Sequence, residues 1–298
     1  MHAFDYVAPA TLAEAVDHLA RHAGQARPLA GGTDLIDHMR TGRLRPQLLV
    51  DVKRIAELSV LEAGPQGLRL GAAVPCYRVY GHDAVGAHYT ALADSCRIIG
   101  GIQIQSRASV GGNLCNSGPA ADTIPSLIAL RGVCRIAGPD GFREVPAEAF
   151  CVAPGRNVLQ RGELLVDIRF PPPPPRSGSH YRRMIPRNEM DIAVVGVGAA
   201  VQLDETGQHF VWARIALGAV APTPLLAREA GALLAGQRVC DAALAQAAEA
   251  AQAIVSPITD MRGTRQYRLH ATGVLVRRVL LAAVARARGE AIDYRPGE

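Results

Sequence analysis

The chain has 298 residues, of which 49% are apolar and 20% charged, and its net charge is +5. That balance excludes a disordered, collagenous or disulfide-scaffold chain and leaves room for two or three packed units. The excess of 32 basic over 27 acidic residues is mild and scattered, and only 4% of residues are aromatic, so no nucleic acid is expected as a partner.

Thr11-Leu12-Ala13-Glu14 forms a capping box, and Leu12, Val16 and Leu19 follow at helical spacing, which predicts a helix from Thr11 to about His22. Gly31-Gly32-Thr33-Asp34 then makes a tight turn, with a short helix after it, capped by Thr33 and ending near Gly42. Strands are expected at 48–52 and 68–72, and a helix from Ala91 to about Ile99. A second glycine turn is read at Ser109-Val110-Gly111-Gly112-Asn113. An apolar helix follows it from about Asp122 to Leu130, with Pro125 in its first turn. The run 162–170 is a strand, and five prolines at 171–175 end it as a stiff spacer. Beyond the spacer, 192–203 and 209–220 are strand-like and are joined by a hairpin turn at 204–208. Helices fill about 225–235, 241–253 and 271–288. Strands and helices without strict alternation give an α+β class.

No apolar run reaches the roughly 18 residues of a membrane span, so none is expected. The opening Met1-His2-Ala3-Phe4-Asp5-Tyr6 lacks the order of a secretory signal. The cysteines at 76, 96, 115, 134, 151 and 240 contain no C-x-x-C pair and read as reduced thiols of a cytoplasmic protein.

The pair of glycine segments is the strongest chemical feature. Glycine has no Cβ to block approach, so successive backbone N–H groups can turn toward one anion, and Thr33 adds a hydroxyl donor. Two such loops converging would hold a pyrophosphate without a lysine. Each loop taken singly reads more readily as a structural corner than as a phosphate site. Gly196-Val197-Gly198 begins like a dinucleotide fingerprint but lies inside a strand, so a Rossmann site is rejected. His18 and His22 stand four apart without a third ligand and read as a solvated face. No Ser/His/Asp grouping has a nucleophile turn.

Taken in order, Ala30-Gly31-Gly32-Thr33-Asp34-Leu35, Ser109-Val110-Gly111-Gly112-Asn113, Pro119-Ala120-Ala121-Asp122 and Tyr181-Arg182-Arg183-Met184-Ile185-Pro186-Arg187 with Asp191-Ile192-Ala193-Val194-Val195 carry a resemblance over nearly the whole chain. It resembles the FAD-binding medium subunit of molybdenum hydroxylases, the xanthine dehydrogenase and carbon monoxide dehydrogenase family. The resemblance implies a two-subdomain FAD-binding fold of the PCMH/vanillyl-alcohol-oxidase type, followed by a C-terminal α+β domain with a three-stranded antiparallel sheet and helices. The implied boundaries are 1–53, 54–175 and 176–298. It implies FAD held by Leu29, Ala30, Gly31, Gly32, Thr33, Asp34 and Leu35 and by Ser109, Val110, Gly111, Gly112 and Asn113. Asp122 matches the aspartate near the adenosine ribose, Leu165 a leucine packed on the isoalloxazine, and Arg183 a position often held by lysine beside the flavin. Read without the resemblance, Asp122 caps the helix that begins there, Leu165 is a core strand residue, and Asn113 braces its loop. Arg187 and Asp191 match a family arginine and aspartate, and otherwise read as an ion pair bracing a strand entrance.

The chain departs from the family at Gln105, where an arginine is frequent, and it lacks the long cysteine-bearing insert with which the hydroxybenzoyl-CoA reductase branch holds an extra iron–sulfur cluster. The function implied is electron transfer from the iron–sulfur clusters of a small partner subunit through FAD to an external acceptor, with the molybdenum cofactor in a large partner subunit. No catalytic acid or base is then needed in this chain. A self-contained FAD oxidoreductase of the same fold and a non-catalytic nucleotide-binding module are the alternatives.

Overall fold

The computed structural model describes residues 1–187 and 189–292. Its first unit contains β1 (Asp5–Val7), α1 (Leu12–Arg21), β2 (Ala26–Leu29), α2 (Leu35–Arg40) and β3 (Leu48–Asp51). The strands form a parallel sheet in the order β1-β3-β2. The expected capping box starts α1: Thr11 Oγ1 accepts the Glu14 N–H, and the Glu14 carboxylate accepts the Thr11 N–H. Leu12, Ala15 and Leu19 are the buried side of this helix. Parallel strands need crossover connections: α1 carries the chain from β1 to β2, and α2 from β2 to its neighbour β3.

The middle unit contains β4 (Leu61–Gly64), β5 (Gly67–Gly71), α3 (Cys76–Tyr80), α4 (Asp83–His88), α5 (Thr90–Arg97), α6 (Ile102–Gln105), α7 (Val110–Asn116), α8 (Thr123–Ala129), β6 (Val133–Gly138), β7 (Gly141–Pro146), β8 (Cys151–Ala153), β9 (Arg156–Asn157) and β10 (Leu164–Phe170). Five of the strands form an antiparallel sheet in the order β4-β5-β10-β6-β7, and β8 and β9 form a small hairpin. The central strand β10 is apolar on both faces because both are covered. Leu164 and Val166 join the core of the first unit, whereas Leu165, Ile168 and Phe170 pack among the helices of the middle unit. The register shifts between Leu165 and Asp167 against β6. The sequence reading did not include the hairpin β6–β7.

The proline run carries the chain, without regular structure, into the C-terminal unit: β11 (Ser177–Met184), β12 (Val195–Leu203), β13 (Phe210–Gly218), β14 (Leu225–Leu226), α9 (Arg228–Leu234), α10 (Asp241–Ala253) and α11 (Arg265–Ala287). Three long antiparallel strands are joined by the two-residue β14, in the order β11-β12-β13-β14. The short strand occupies the position where the sequence predicted the start of a helix. The last helix begins earlier than its apolar repeat suggested, because Thr264 caps it by accepting the Tyr267 N–H.

The sheet of this unit is covered on both faces. On one side Val197, Ala199 and Val201 pack into the core shared with α9, α10 and α11. On the other side Gly198 lies against α8, where a Cβ would stand 2.8 Å from the carbonyl carbon and oxygen of Pro125. The rejected dinucleotide-like stretch therefore has a structural cause: small residues let α8 rest directly on β12. No helix among the described residues is long and apolar enough to cross a membrane.

Candidate functional site

The first glycine segment leaves β2 and enters α2. Gly32 has φ +77°, which favours glycine, and a Cβ on Gly31 would stand 2.0 Å from the carbonyl oxygen of Arg107. Gly31 is thus the contact point between the first segment and the approach to the second. The chain has already turned there, since Ile36 donates to the Gly32 carbonyl and His38 to that of Asp34. The backbone N–H groups of Gly31, Gly32, Thr33, Asp34 and Leu35 make no hydrogen bond among the described residues. Thr33 is not the cap that was expected. Asp34 occupies that position, in a helical conformation and without a capping side-chain bond, so the amides stay uncovered.

The second glycine segment is the first turn of α7 rather than a free turn. Ser109 caps it, its Oγ accepting the Gly112 N–H at 3.0 Å. A Cβ on Gly111 would stand 2.5 Å from the Ala72 carbonyl oxygen, so this glycine seats α7 against the exit of β5. The Cys76 N–H, donating to the Ala108 carbonyl, ties the same junction. Val110 is buried, whereas Gly112 is exposed. Asn113 braces the neighbouring helix: its Oδ1 accepts the Thr123 hydroxyl at 2.6 Å and the Thr123 N–H at 3.3 Å. Its side-chain N–H groups make no bond among the described residues.

A third element joins from the C-terminal unit. Strand β11 presents Tyr181 and Arg183 to Asp122 at the head of α8. The Tyr181 hydroxyl donates to Asp122 Oδ1 at 2.8 Å, and Arg183 Nη1 donates to Oδ2 at 2.6 Å. Arg183 Nη2 donates to the Ile98 carbonyl at 2.8 Å, leaving its Nε buried without a partner. Asp122 makes no capping bond to α8, so the helix-cap reading of this residue is corrected; its oxygens turn to β11 instead. Burial pushes the Asp122 carboxyl up to about 6, while Arg183 and the Tyr181 hydroxyl pull the other way.

The remaining expected residues lie as follows. Leu165 is 1% exposed, in the core of the middle unit, and Leu29 ends β2. Arg187 stands 3.6 Å from Asp191 across the β11–β12 connection, and its Nη2 donates to the Met190 carbonyl. Gln105 is buried, accepts the Tyr80 hydroxyl and donates to the Arg97 carbonyl, so it joins α6 to α5 instead of bearing charge. Tyr181 and Arg107 were missed as site-building residues. Tyr181 stands inside a motif read for other reasons, and Arg107 contributes only a backbone carbonyl. Among the described residues no group of three His, Cys, Asp or Glu side chains is arranged to hold a metal ion.

Comparison with known proteins follows this geometry. Residues 2–173 match the family profile described as FAD binding domain in molybdopterin dehydrogenase, and residues 179–283 match the CO dehydrogenase flavoprotein C-terminal domain. The chain is 36% identical over 286 residues to the carbon monoxide dehydrogenase medium chain of Afipia carboxidovorans, covering 96% of this chain and 98% of that one. It is 32% identical over 287 residues to a putative xanthine dehydrogenase FAD-binding subunit of Escherichia coli, covering 96% and 97%. A chain in the structure of reconstituted CO dehydrogenase from Oligotropha carboxidovorans superposes with a TM-score of 0.91 at 33% identity, covering 96% of this chain and 99% of that one.

Proposed function

The chain belongs to the family described as the FAD binding domain in molybdopterin dehydrogenase, and from that premise we propose that it is the FAD-carrying electron-transfer subunit of a molybdenum-dependent dehydrogenase complex. Electrons enter from the iron–sulfur clusters of a small partner subunit and leave to an external acceptor. The molybdenum cofactor and the oxidised substrate belong to a large partner subunit. A cytoplasmic location suits the six free cysteines. The division 1–53, 54–175 and 176–298 suits the three larger sheets, one to each segment.

One observation carries this reading. The first glycine segment meets, at Gly31, the residues 107–108 that lead into the second, and it offers a row of backbone N–H groups with no internal partner. Unpaired donors beside a backbone that tolerates no side chain suit a pyrophosphate. Residues 29–35 and 109–113 would hold it, with the free amide of Asn113 as a further donor. Asp122 accepts hydrogen bonds, and each of its oxygens keeps a second acceptor direction for ribose hydroxyls. The unpartnered Nε of Arg183 suits a flavin edge, and its positive charge favours an electron-rich ring by Coulomb attraction. Leu165 stays a proposed flavin contact, made from within the core of the middle unit. FAD supplies the capacity to accept electrons singly and release one or two. This chain binds it, orients it and fixes the charge around it.

Gly31→Ala tests the reading. The added methyl would collide with the Arg107 carbonyl and part the two segments, at a cost of about 1–3 kcal/mol. In the co-purified complex, FAD retention is expected to fall by about tenfold or more. Released FAD, measured per complex, is the readout. A variant that keeps full FAD would remove the convergent loops from the binding site.

A further inference from the structure

Polar groups at the junction of the middle and C-terminal units converge on a residue outside the proposed cofactor contacts. Asp94 on α5 is 0% exposed. Its carboxylate accepts both Nη groups of Arg286, at 2.5 and 3.0 Å, and the backbone N–H of Tyr181 at 3.2 Å; it lies 2.7 Å from His180 Nδ1. Burial pushes the Asp94 carboxyl up, but His180 and Arg286 outweigh it and hold it below its ordinary value. A buried carboxylate persists as an ion only with such partners.

The grip extends along β11. The Ser179 carbonyl accepts Thr90 Oγ1 at 2.5 Å and Arg286 Nη1 at 2.8 Å, and Ser179 Oγ accepts the Ala91 N–H at 3.0 Å. β11 is the edge strand of its sheet, so its outward N–H and C=O groups need partners from elsewhere. Asp94, Thr90 and Arg286 supply them at residues 179 and 181. Arg286 can reach because α11 lies directly on β11: a Cβ on Gly178 would stand 2.2 Å from the Ala283 carbonyl oxygen. Beyond the grip, Tyr181 and Arg183 meet Asp122 on the same face of the strand. A slip of one residue would turn that face over and present Arg182 in place of Arg183.

We propose that Asp94, clamped by Arg286, is a positioning residue for the flavin-facing end of β11, holding residues 179–183 against α5 so that Arg183 meets Asp122 beside the cofactor. This rests on the placement of Arg183 at the flavin argued above. The two residues act through the strand and touch no cofactor.

The test compares four variants in the assembled, FAD-loaded complex: Asp94→Asn, Arg286→Lys, Arg183→Met and, as a stability control, Arg214→Met. Arg214 is also a link between these units, bonded to the Ile128 carbonyl and Glu148, but it takes no part in the grip on β11. The readouts are the positions of the flavin visible bands, the flavin midpoint potential and the thermal midpoint. Asp94→Asn and Arg286→Lys are expected to shift bands and potential in the direction of Arg183→Met, while Arg214→Met lowers the thermal midpoint alone. Wild-type bands and potential in both clamp variants, with a shift in Arg183→Met, would overturn the clamp and leave the flavin site standing. An unshifted Arg183→Met would overturn the placement of Arg183 and the clamp with it. Where Asp94→Asn fails to assemble, Arg286→Lys decides, since it keeps the charge and removes only the planar fork.

Discussion

Gly31 and Asp122 show how little a residue's type says about its work. Gly31 was legible as a turn glycine, but the 2.0 Å approach to Arg107 depends on a segment more than 70 positions away. Asp122 stands at the head of a helix, as its position promised, yet its hydrogen bonds go to a strand of another unit. Its titration follows from that burial. With its carboxyl raised to about 6, the folded chain holds a proton that the unfolded chain has released, so this residue's contribution to stability falls as pH rises from about 4 to about 6. Asp94, whose carboxyl is lowered, works in the opposite sense, so the difference between wild type and Asp122→Asn is the quantity to follow. Chemical denaturation of the two at several pH values in this window should show wild type losing ground to the variant as pH rises. A constant difference would mean that Asp122 titrates normally.

Capping is local, and the Thr11 box was read from the sequence; Ser109 and Thr264 cap their helices in the same way, yet α7 was read as a turn and α11 as starting at about 271. Thr11 is the plainest case, and Thr11→Ala should lower stability by about 1 kcal/mol in urea denaturation, with no change in FAD content. The glycines within elements were not legible. Gly111 begins a helix where a turn was read, and Gly198 sits in a strand whose outer neighbour the sequence cannot show. Gly198→Val should force α8 away from β12, at a cost of about 1–3 kcal/mol, seen as a lower thermal midpoint. An unchanged midpoint would mean that the helix can slide on the sheet without loss. β6, β7 and β14 escaped notice because their pairing partners, not their own residues, make them strands.

At the scale of the whole molecule, three larger sheets and their helices are joined by shared core residues and by a few buried ion pairs. β10 contributes to two cores at once, and Asp94 with Arg286 joins the middle unit to the last helix. The cysteines report on this packing. Cys76, Cys96 and Cys134 are buried, Cys115 and Cys151 are half-buried, and Cys240 is exposed. Burial pushes the Cys115 thiol up to about 12, and burial together with the neighbouring Cys76 drives Cys96 well above its ordinary value. A thiol reagent at mildly alkaline pH should therefore modify Cys240 quickly and the other five only after denaturation. Rapid reaction of Cys115 or Cys134 in the folded chain would mean that the middle unit opens easily.

The sequence by itself determined what is local or periodic: the α+β class, the capped first helix, the spacer of five prolines, the two glycine segments and, through motif order, the family. Those follow from steric freedom, hydrogen bonding within a turn and apolar spacing, which neighbours in the chain decide. Only the tertiary structure decided that the first glycine segment rests on the approach to the second, that Asp122 answers to β11 and not to its own helix, and that α5 grips the strand carrying Arg183. Those are contacts between positions far apart in the chain. Close packing and the cost of an unpaired buried charge select them, and neither leaves a mark on the residues one at a time.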